Sequence, residues 1–249
     1  MKISVASYGF HGLLHEGKID VFGYLESCKY RYHLNSAEIW NGMFPSTEED
    51  FLKKLKEGLE ERGLELANLC VDGPHIWEDD PAAREQNYQN ALVYLKAAKF
   101  LNARTIRIDA GGRENTFTNE QFDLIVKRYK EYAQFAYDNG FKAGPENHWG
   151  AEAVPENMVR ICQAVDHPGF GVLLHFRGNE GDALMAPWAM HTHISWDVTE
   201  NHLDKSISTL LEANYQGYFS IEHHSAKNEY AAVAVQLSKL RHAFAKRGL

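Results

Sequence analysis

Histidines and glutamates crowd four short segments of the chain: Glu146-Asn147-His148, His175, His191-Thr192-His193 and Glu222-His223-His224. Each stands at the end of a short apolar run. Gly140-Phe141-Lys142-Ala143-Gly144-Pro145, the least apolar of the four, leads into the first. Phe170-Gly171-Val172-Leu173-Leu174 leads into His175, and Tyr218-Phe219-Ser220-Ile221 into Glu222. Ala189-Met190 precedes the His-x-His pair and Ile194 follows it. Imidazoles and carboxylates repeated at strand ends are donors for a divalent metal ion. A lone histidine at a strand end is more often a hydrogen-bonded structural residue, and a lone glutamate there often pairs with an arginine. Four such positions on adjacent strands favour a metal site, with Glu146, His175, His193 and Glu222 as its ligands.

Such convergence requires strands that end at one rim, and the pattern along the chain supplies them. Strands are predicted at Ile3–Ser7, Ser36–Trp40, Leu64–Val71, Thr105–Asp109, Phe141–Glu146, Gly171–Leu174, Met190–Ser195 and Tyr218–Glu222. Between them lie helical patterns. Val21–Tyr30 reads as helical, and Glu48–Arg62 carries Phe51, Leu52, Leu55 and Leu59 on one face before Gly63 stops it. Asp80-Pro81 starts a helix to about Leu101, by N-cap and proline signals. Thr118 with Gln121 forms a capping box for a helix that ends at Asn139-Gly140. Pro155 opens a helix to Val165, and a last helix spans Glu229–Lys246. The connection between strands six and seven is short, so its helix should be a single turn or missing. Eight strands alternating with helices predict an α/β fold, a single-domain (β/α)8 TIM barrel over residues 1–249, with the site at the C-terminal rim. A doubly wound open sheet is the rival. It would carry a glycine-rich nucleotide loop after its first strand, and Ser7-Tyr8-Gly9-Phe10-His11-Gly12 lacks that fingerprint.

Composition agrees with one sizeable domain. The chain has 249 residues, typical of an α/β barrel. Its 26 Lys+Arg against 34 Asp+Glu give a net charge of −8, which argues against a nucleic-acid partner. The three cysteines, Cys28, Cys70 and Cys162, have no ligand spacing and read as reduced thiols of the cytosol. The N-terminus reads as a strand without the apolar core of a signal peptide, and no later run approaches a membrane span. A cytoplasmic protein with no membrane contact is expected.

The chain resembles the xylose-isomerase-like TIM barrels, often called sugar phosphate isomerases/epimerases. The resemblance covers nearly the whole length and is strongest from Gly140 onward, on short motifs: Pro-Glu-Asn-His at Glu146, His-Thr-His-Ile-Ser at His193 and Ser-Ile-Glu-His at Glu222. The family's usual ligands are a Glu after strand five, an Asp after strand six, a His after strand seven and a Glu after strand eight. Val-Leu-Leu-His-Phe-Arg-Gly departs from this, with His175 in the aspartate's place and Gly178 where a second histidine is frequent. Two carboxylates in place of three leave the ion a stronger Lewis acid. Two imidazoles shift preference from Mg²⁺ to Mn²⁺ first, with Co²⁺, Fe²⁺, Ni²⁺ or Zn²⁺ as alternatives. The alternative for His175 is a place outside a three-residue site completed by water.

The resemblance implies a metal-dependent sugar isomerase or epimerase that abstracts a proton next to a carbonyl, through an enediolate. Glu146 and Glu222 would serve the two faces of the carbon, with His148 as a further catalytic group. His148 and His224 could equally orient the ligands. Tyr8, Phe10, Trp40, Trp77, Trp149, Phe176 and Trp196 fall at or just past strand ends and suit stacking on a sugar, though any one of them is more often a loop anchor or subunit contact. Tyr8, Trp40, His75, Arg107, Trp149, Arg177 and His224 are the substrate-binding candidates, Arg107 being equally suited to pairing with a core carboxylate. No P-loop or tight basic cluster marks a phosphate site, so a non-phosphorylated keto-sugar is favoured. The close rival is a lyase or hydratase that eliminates a β substituent from a 3-keto-glycoside or related keto-sugar. Lower in rank stand an abasic-site endonuclease-like metal hydrolase and a non-catalytic sugar-binding barrel. A small-molecule sugar is the expected partner, within a homo-oligomer or beside a different subunit.

Overall fold

A computed structural model describes residues 1–249. Eight parallel strands run β1 (Lys2–Val5), β2 (Ser36–Trp40), β3 (Glu65–Val71), β4 (Thr105–Ile108), β5 (Lys142–Gly144), β6 (Val172–His175), β7 (Ala189–Ile194) and β8 (Tyr218–Ile221). The helices are α1 (His11–His15), α2 (Val21–Glu26), α3 (Glu49–Glu61), α4 (Pro81–Phe100), α5 (Asn119–Asp138), α6 (Pro155–Val165), α7 (Glu180–Met185), α8 (Trp196–Asn201), α9 (Leu203–Glu212) and α10 (Glu229–Ala245).

Hydrogen-bonded ladders join the strands in two halves, β1-β8-β7-β6 and β2-β3-β4-β5. Single bridges close the ring, from Ala6 to Glu38 on one side and from Ala143 to Phe170 and Glu146 to Leu173 on the other. At the first seam, side chains replace the backbone ladder. Ser36 Oγ donates to Ile3 O at 2.7 Å, and Trp40 N donates to Ser7 Oγ at 2.8 Å. The buried Tyr24 hydroxyl donates to Val5 O at 2.6 Å and accepts from Glu38 N at 2.9 Å. These contacts satisfy backbone groups that would otherwise be orphaned. At the second seam the backbones approach so closely that a Cβ on Gly144 would collide with the Gly171 carbonyl oxygen.

Alternation along the strands separates two environments. Ala37 and Ile39 of β2, Leu69 of β3 and Ile106 of β4 join Leu55 and Leu59 of α3, Leu95 of α4 and Ile125 of α5 in one apolar shell. Each of these leucines and isoleucines, fully buried, contributes about 1.5–3 kcal/mol. The inward positions are polar: Ser4, Glu38, Asn68, Arg107, His191, His193 and Ser220 are all buried.

The predicted strands and helices recur with shifts at their ends. The capping box forms, with Gln121 N donating to Thr118 Oγ1 at 3.2 Å and Thr118 N to Gln121 Oε1 at 2.7 Å. β5 stops at Gly144, short of the expected Glu146, because Pro145 has no N–H for the ladder. β1 ends at Val5 because the chain turns into a 3₁₀ segment, Ser7–Phe10. The connection after β6 holds a real helix, α7, capped by Asn179 and followed by a 3₁₀ turn at Ala186–Trp188. Two helices absent from the sequence reading, α8 and α9, lie between β7 and β8. Ser195 caps the first of them. The helical stretch Val21–Tyr30 becomes α2 followed by a π-helical turn, Ser27–Arg31.

Candidate metal centre

The strand ends bring four side chains to one point. His175 is the last residue of β6, His193 lies within β7, and Glu146 and Glu222 follow β5 and β8. Glu146 Oε1 is 2.9 Å from His175 Nδ1 and 2.8 Å from His193 Nδ1. Glu222 Oε2 is 3.4 Å from the same atom of His175 and 3.3 Å from that of His193. The contacts make a ring in which carboxylates alternate with imidazoles, all four atoms lying within 4.8 Å of one another. All four residues are buried, with exposures of 8% or less.

This donor set suits a cation. A tetrahedral ion with bonds of ~2.1 Å separates its ligand atoms by ~3.4 Å, close to the two longer edges found here. Glu222 Oε2 is buried and accepts no well-directed hydrogen bond, although His224 Nε2 lies 2.9 Å away. A second group, Glu38 with His191 and His193, is also compact. There the contacts are ordinary hydrogen bonds of 2.7–2.8 Å, and Asn68 also donates to the same carboxylate. That inner group reads as a hydrogen-bond network.

Backbone hydrogen bonds hold the side chains of this cluster in place. Asn147 Oδ1 accepts from His175 N at 2.7 Å, and its Nδ2 donates to His175 O at 3.0 Å. Asp109, just past β4, accepts from Glu146 N at 3.1 Å and from Trp149 Nε1 at 3.2 Å. The turn that carries Glu146 is therefore fastened to both neighbouring strands.

Two more imidazoles flank the ring. His148 Nδ1 is 3.3 Å from Glu146 Oε2. His148 and His224 both stack against His175, with centroids 6.5 and 5.6 Å from its ring. Burial alone would push both glutamates up. The charges of His193 and of His148 or His175, with their hydrogen bonds, outweigh it and hold Glu146 and Glu222 below the usual carboxylate range. Burial likewise opposes the charge on His193, but Glu222, Glu38 and Glu146 raise it well above the ordinary imidazole value. The Glu222 carboxylate, 2.9 Å from His224 Nε2, raises that imidazole.

A cavity of about 190 Å³ opens over the cluster, and Tyr8, Trp40, Arg107, His148 and His224 line it. Arg107 is 5% exposed, and its Nη1 is held by Asp72 at 2.6 Å and Asp109 at 2.9 Å, so pairing with carboxylates engages that end of its guanidinium. His75 and Trp149 lie outside this cavity. They line an adjoining one of about 760 Å³ that shares Asp72 and His148 with it. Arg177 lines a third, of about 890 Å³, reached past His175 and His224. Phe10 and Phe176 are in the apolar core rather than on the rim, and Trp77 is 8% exposed. Sequence reasoning missed Glu38, Asp72 and Asp109. Their signal was an acid at, or one residue past, the inward period-two positions of β2, β3 and β4.

Eight parallel strands with a carboxylate–imidazole cluster at their C-terminal rim define a (β/α)8 barrel whose site can take one divalent cation. The chain belongs to the xylose isomerase-like TIM barrel family, whose sequence profile matches residues 31–241. No curated protein matches the sequence. Among solved structures it is similar to the probable 3-DHS dehydratase AsbF from Bacillus anthracis, with 15% identity, 97% of this chain and 99% of that chain covered, and a TM-score of 0.73. It is similar to the D-psicose 3-epimerase of Clostridium cellulolyticum H10 with D-tagatose, with 15% identity, 99% and 98% covered, and a TM-score of 0.72. A xylose isomerase-like TIM barrel protein from Mycobacterium smegmatis in complex with magnesium shares 17% identity over 96% and 97%, with a TM-score of 0.68. At these identities the likeness is one of fold. No helix is long and apolar enough to cross a membrane.

Proposed function

We propose that residues 1–249 form one catalytic barrel, a divalent-cation-dependent sugar isomerase or epimerase that removes a proton next to the carbonyl of a non-phosphorylated keto-sugar. Glu146, His175, His193 and Glu222 would hold the ion, and Mn²⁺ is the ion we assign. When bound, such a cation stabilises the negative charge that grows on the carbonyl oxygen as the neighbouring C–H bond breaks.

One observation carries the reading: each carboxylate of the cluster has its own imidazole. Glu146 Oε2 faces His148 at 3.3 Å, and Glu222 Oε2 faces His224 at 2.9 Å. A carboxylate that takes the proton can pass it to the adjacent ring, which frees the base for the return step. Two such pairs would remove a proton at one face of a carbon and restore it at the other. Tyr8 and Trp40 wall the cavity and pack edge to face at 5.2 Å, a surface suited to the C–H face of a sugar. The printed activities of the solved neighbours, a 3-epimerase and a probable dehydratase, fit this class of chemistry. We place the protein in the cytoplasm, acting on a small sugar.

The second reading is a lyase or hydratase that eliminates a β substituent from a 3-keto-glycoside. The adjoining cavity beside Trp149 supports it, because His148 lies on the boundary of the two spaces. A leaving group seated against Trp149 would then receive a proton from His148. Incubating the Mn²⁺-loaded protein with free ketohexoses and with a 3-keto-glucoside decides between them. Epimerised ketose supports the first reading, and released aglycone the second. Neither product, with activity on neither class at any metal loading, would sink both.

A further inference from the structure

Behind the cluster, inside the barrel, lies Glu38 of β2, with no exposed surface. Five side-chain donors surround its carboxylate. Oε1 accepts from His193 Nε2 at 2.7 Å, Asn68 Nδ2 at 2.9 Å and Cys70 Sγ at 3.2 Å. Oε2 accepts from His191 Nε2 at 2.8 Å and from Ser220 Oγ. No lysine or arginine reaches it. Arg107, the cation nearest the cluster, is instead paired with Asp72, Asp109 and Glu146.

To hold a metal ion an imidazole must be neutral, with one N–H and one lone pair. With Nε2–H of His193 directed at Glu38, the lone pair must sit on Nδ1, the atom that faces Glu146 and Glu222. The same bond holds the ring against rotation and makes Nδ1 more electron-rich. His191 and Ser220 in turn hold the far oxygen of Glu38, so the carboxylate cannot swing away.

We propose that Glu38 is a positioning residue for the metal centre: it sets the tautomer and orientation of His193 and supplies a third carboxylate that acts through the His193 ring. This rests on the metal-binding reading above. Glu146 and Glu222 belong to the cluster itself, and Glu38, acting through His193, adds a third negative charge behind it.

The test is metal affinity. Mn²⁺ binding to the metal-free protein is measured by competition with a chromogenic chelator, for wild type and Glu38→Gln, with circular dichroism to check the fold. The expected result is one Mn²⁺ per wild-type chain and a Kd raised about 10–100-fold in Glu38→Gln, the loss typical of a removed partner of a ligand histidine. A folded Glu38→Gln that binds as tightly as wild type overturns the proposal while the metal site stands. A wild type that binds no Mn²⁺, Co²⁺ or Zn²⁺ overturns the metal reading and this inference with it. If Glu38→Gln fails to fold, the wild type decides: ¹⁵N-histidine spectra of the Zn²⁺-loaded protein must show His193 protonated at Nε2, and protonation at Nδ1 overturns the proposal.

Discussion

His175 Nδ1 stands 2.9 Å from Glu146 Oε1, so an imidazole from β6 meets the carboxylate that follows β5 at the centre of the cluster. The family resemblance implies an aspartate at this strand end, where the chain has His175. The pairing brings two imidazoles and two carboxylates to one point, a donor set that suits Mn²⁺, Co²⁺ or Zn²⁺ better than Mg²⁺.

His175→Asp should therefore change metal choice. Adding a carboxylate should raise Mg²⁺ affinity roughly tenfold, ~1.4 kcal/mol. Proton transfer should become slower, because a better neutralised ion is a weaker Lewis acid. Comparing Mg²⁺ and Mn²⁺ titrations of both proteins checks this. An unchanged ratio would place His175 outside the ligand set.

Glu222→Gln should keep the fold and lose turnover by about 10²–10⁴-fold, the range for a removed acid–base group. The amide neither takes a proton nor neutralises the ion. The companion measurement uses substrate deuterated next to the carbonyl. Wild-type turnover should show a primary isotope effect or wash the label into water. If the label neither slows the reaction nor leaves, C–H cleavage is not part of the chemistry.

Stability should respond to pH through Glu152. This residue is 1% exposed, and its Oε1 accepts from Ala110 N at 2.9 Å and from the Tyr129 hydroxyl at 3.1 Å. Burial, and then the charge of Asp109, push its carboxyl well above the ordinary value against those bonds. A carboxyl with a raised folded pKa holds its proton more tightly in the native state. Its penalty is thus absent below the unfolded pKa of about 4.3 and grows as pH rises toward the folded value. Glu152→Gln, which keeps an acceptor and never ionises, should match wild type near pH 4. At pH 8 its Tm should be higher by about 2–4 °C, the shift that ~1 kcal/mol gives a chain of this size. Equal Tm values at both pH values would contradict the assignment.

Tyr24→Phe tests the seam between β1 and β2. It removes the hydroxyl that joins Val5 O to Glu38 N, leaving two buried backbone groups without that partner. The expected loss is about 1–3 kcal/mol per unsatisfied group. Chemical denaturation should report it as a lower midpoint with an unchanged slope. A midpoint like that of wild type would mean that water or a shifted strand replaces the hydroxyl.

Local patterns were readable from the chain alone. The capping box at Thr118 and Gln121, the proline start of α4 at Pro81, and the strand at Ser36–Trp40 are properties of a few neighbouring residues. They survive translation into structure because helix and strand periodicities act over one or two turns. The strand ends carrying Glu146, His175, His193 and Glu222 were legible for the same reason, since each follows its own apolar run. Short capped helices such as α8 were not, because six residues hold too little periodicity to stand out. Tertiary structure alone decided what those side chains meet. Glu38 and His193 are 155 positions apart and touch only because closing the ring turns β2 and β7 toward one interior. Arg107 is engaged by carboxylates that follow β3 and β4, and Trp149 is held by Asp109 beside a neighbouring cavity. A sequence pattern states which face a residue takes on its own strand. Only the closed barrel states which side chains share the interior, since that depends on the stagger and tilt of all eight strands together.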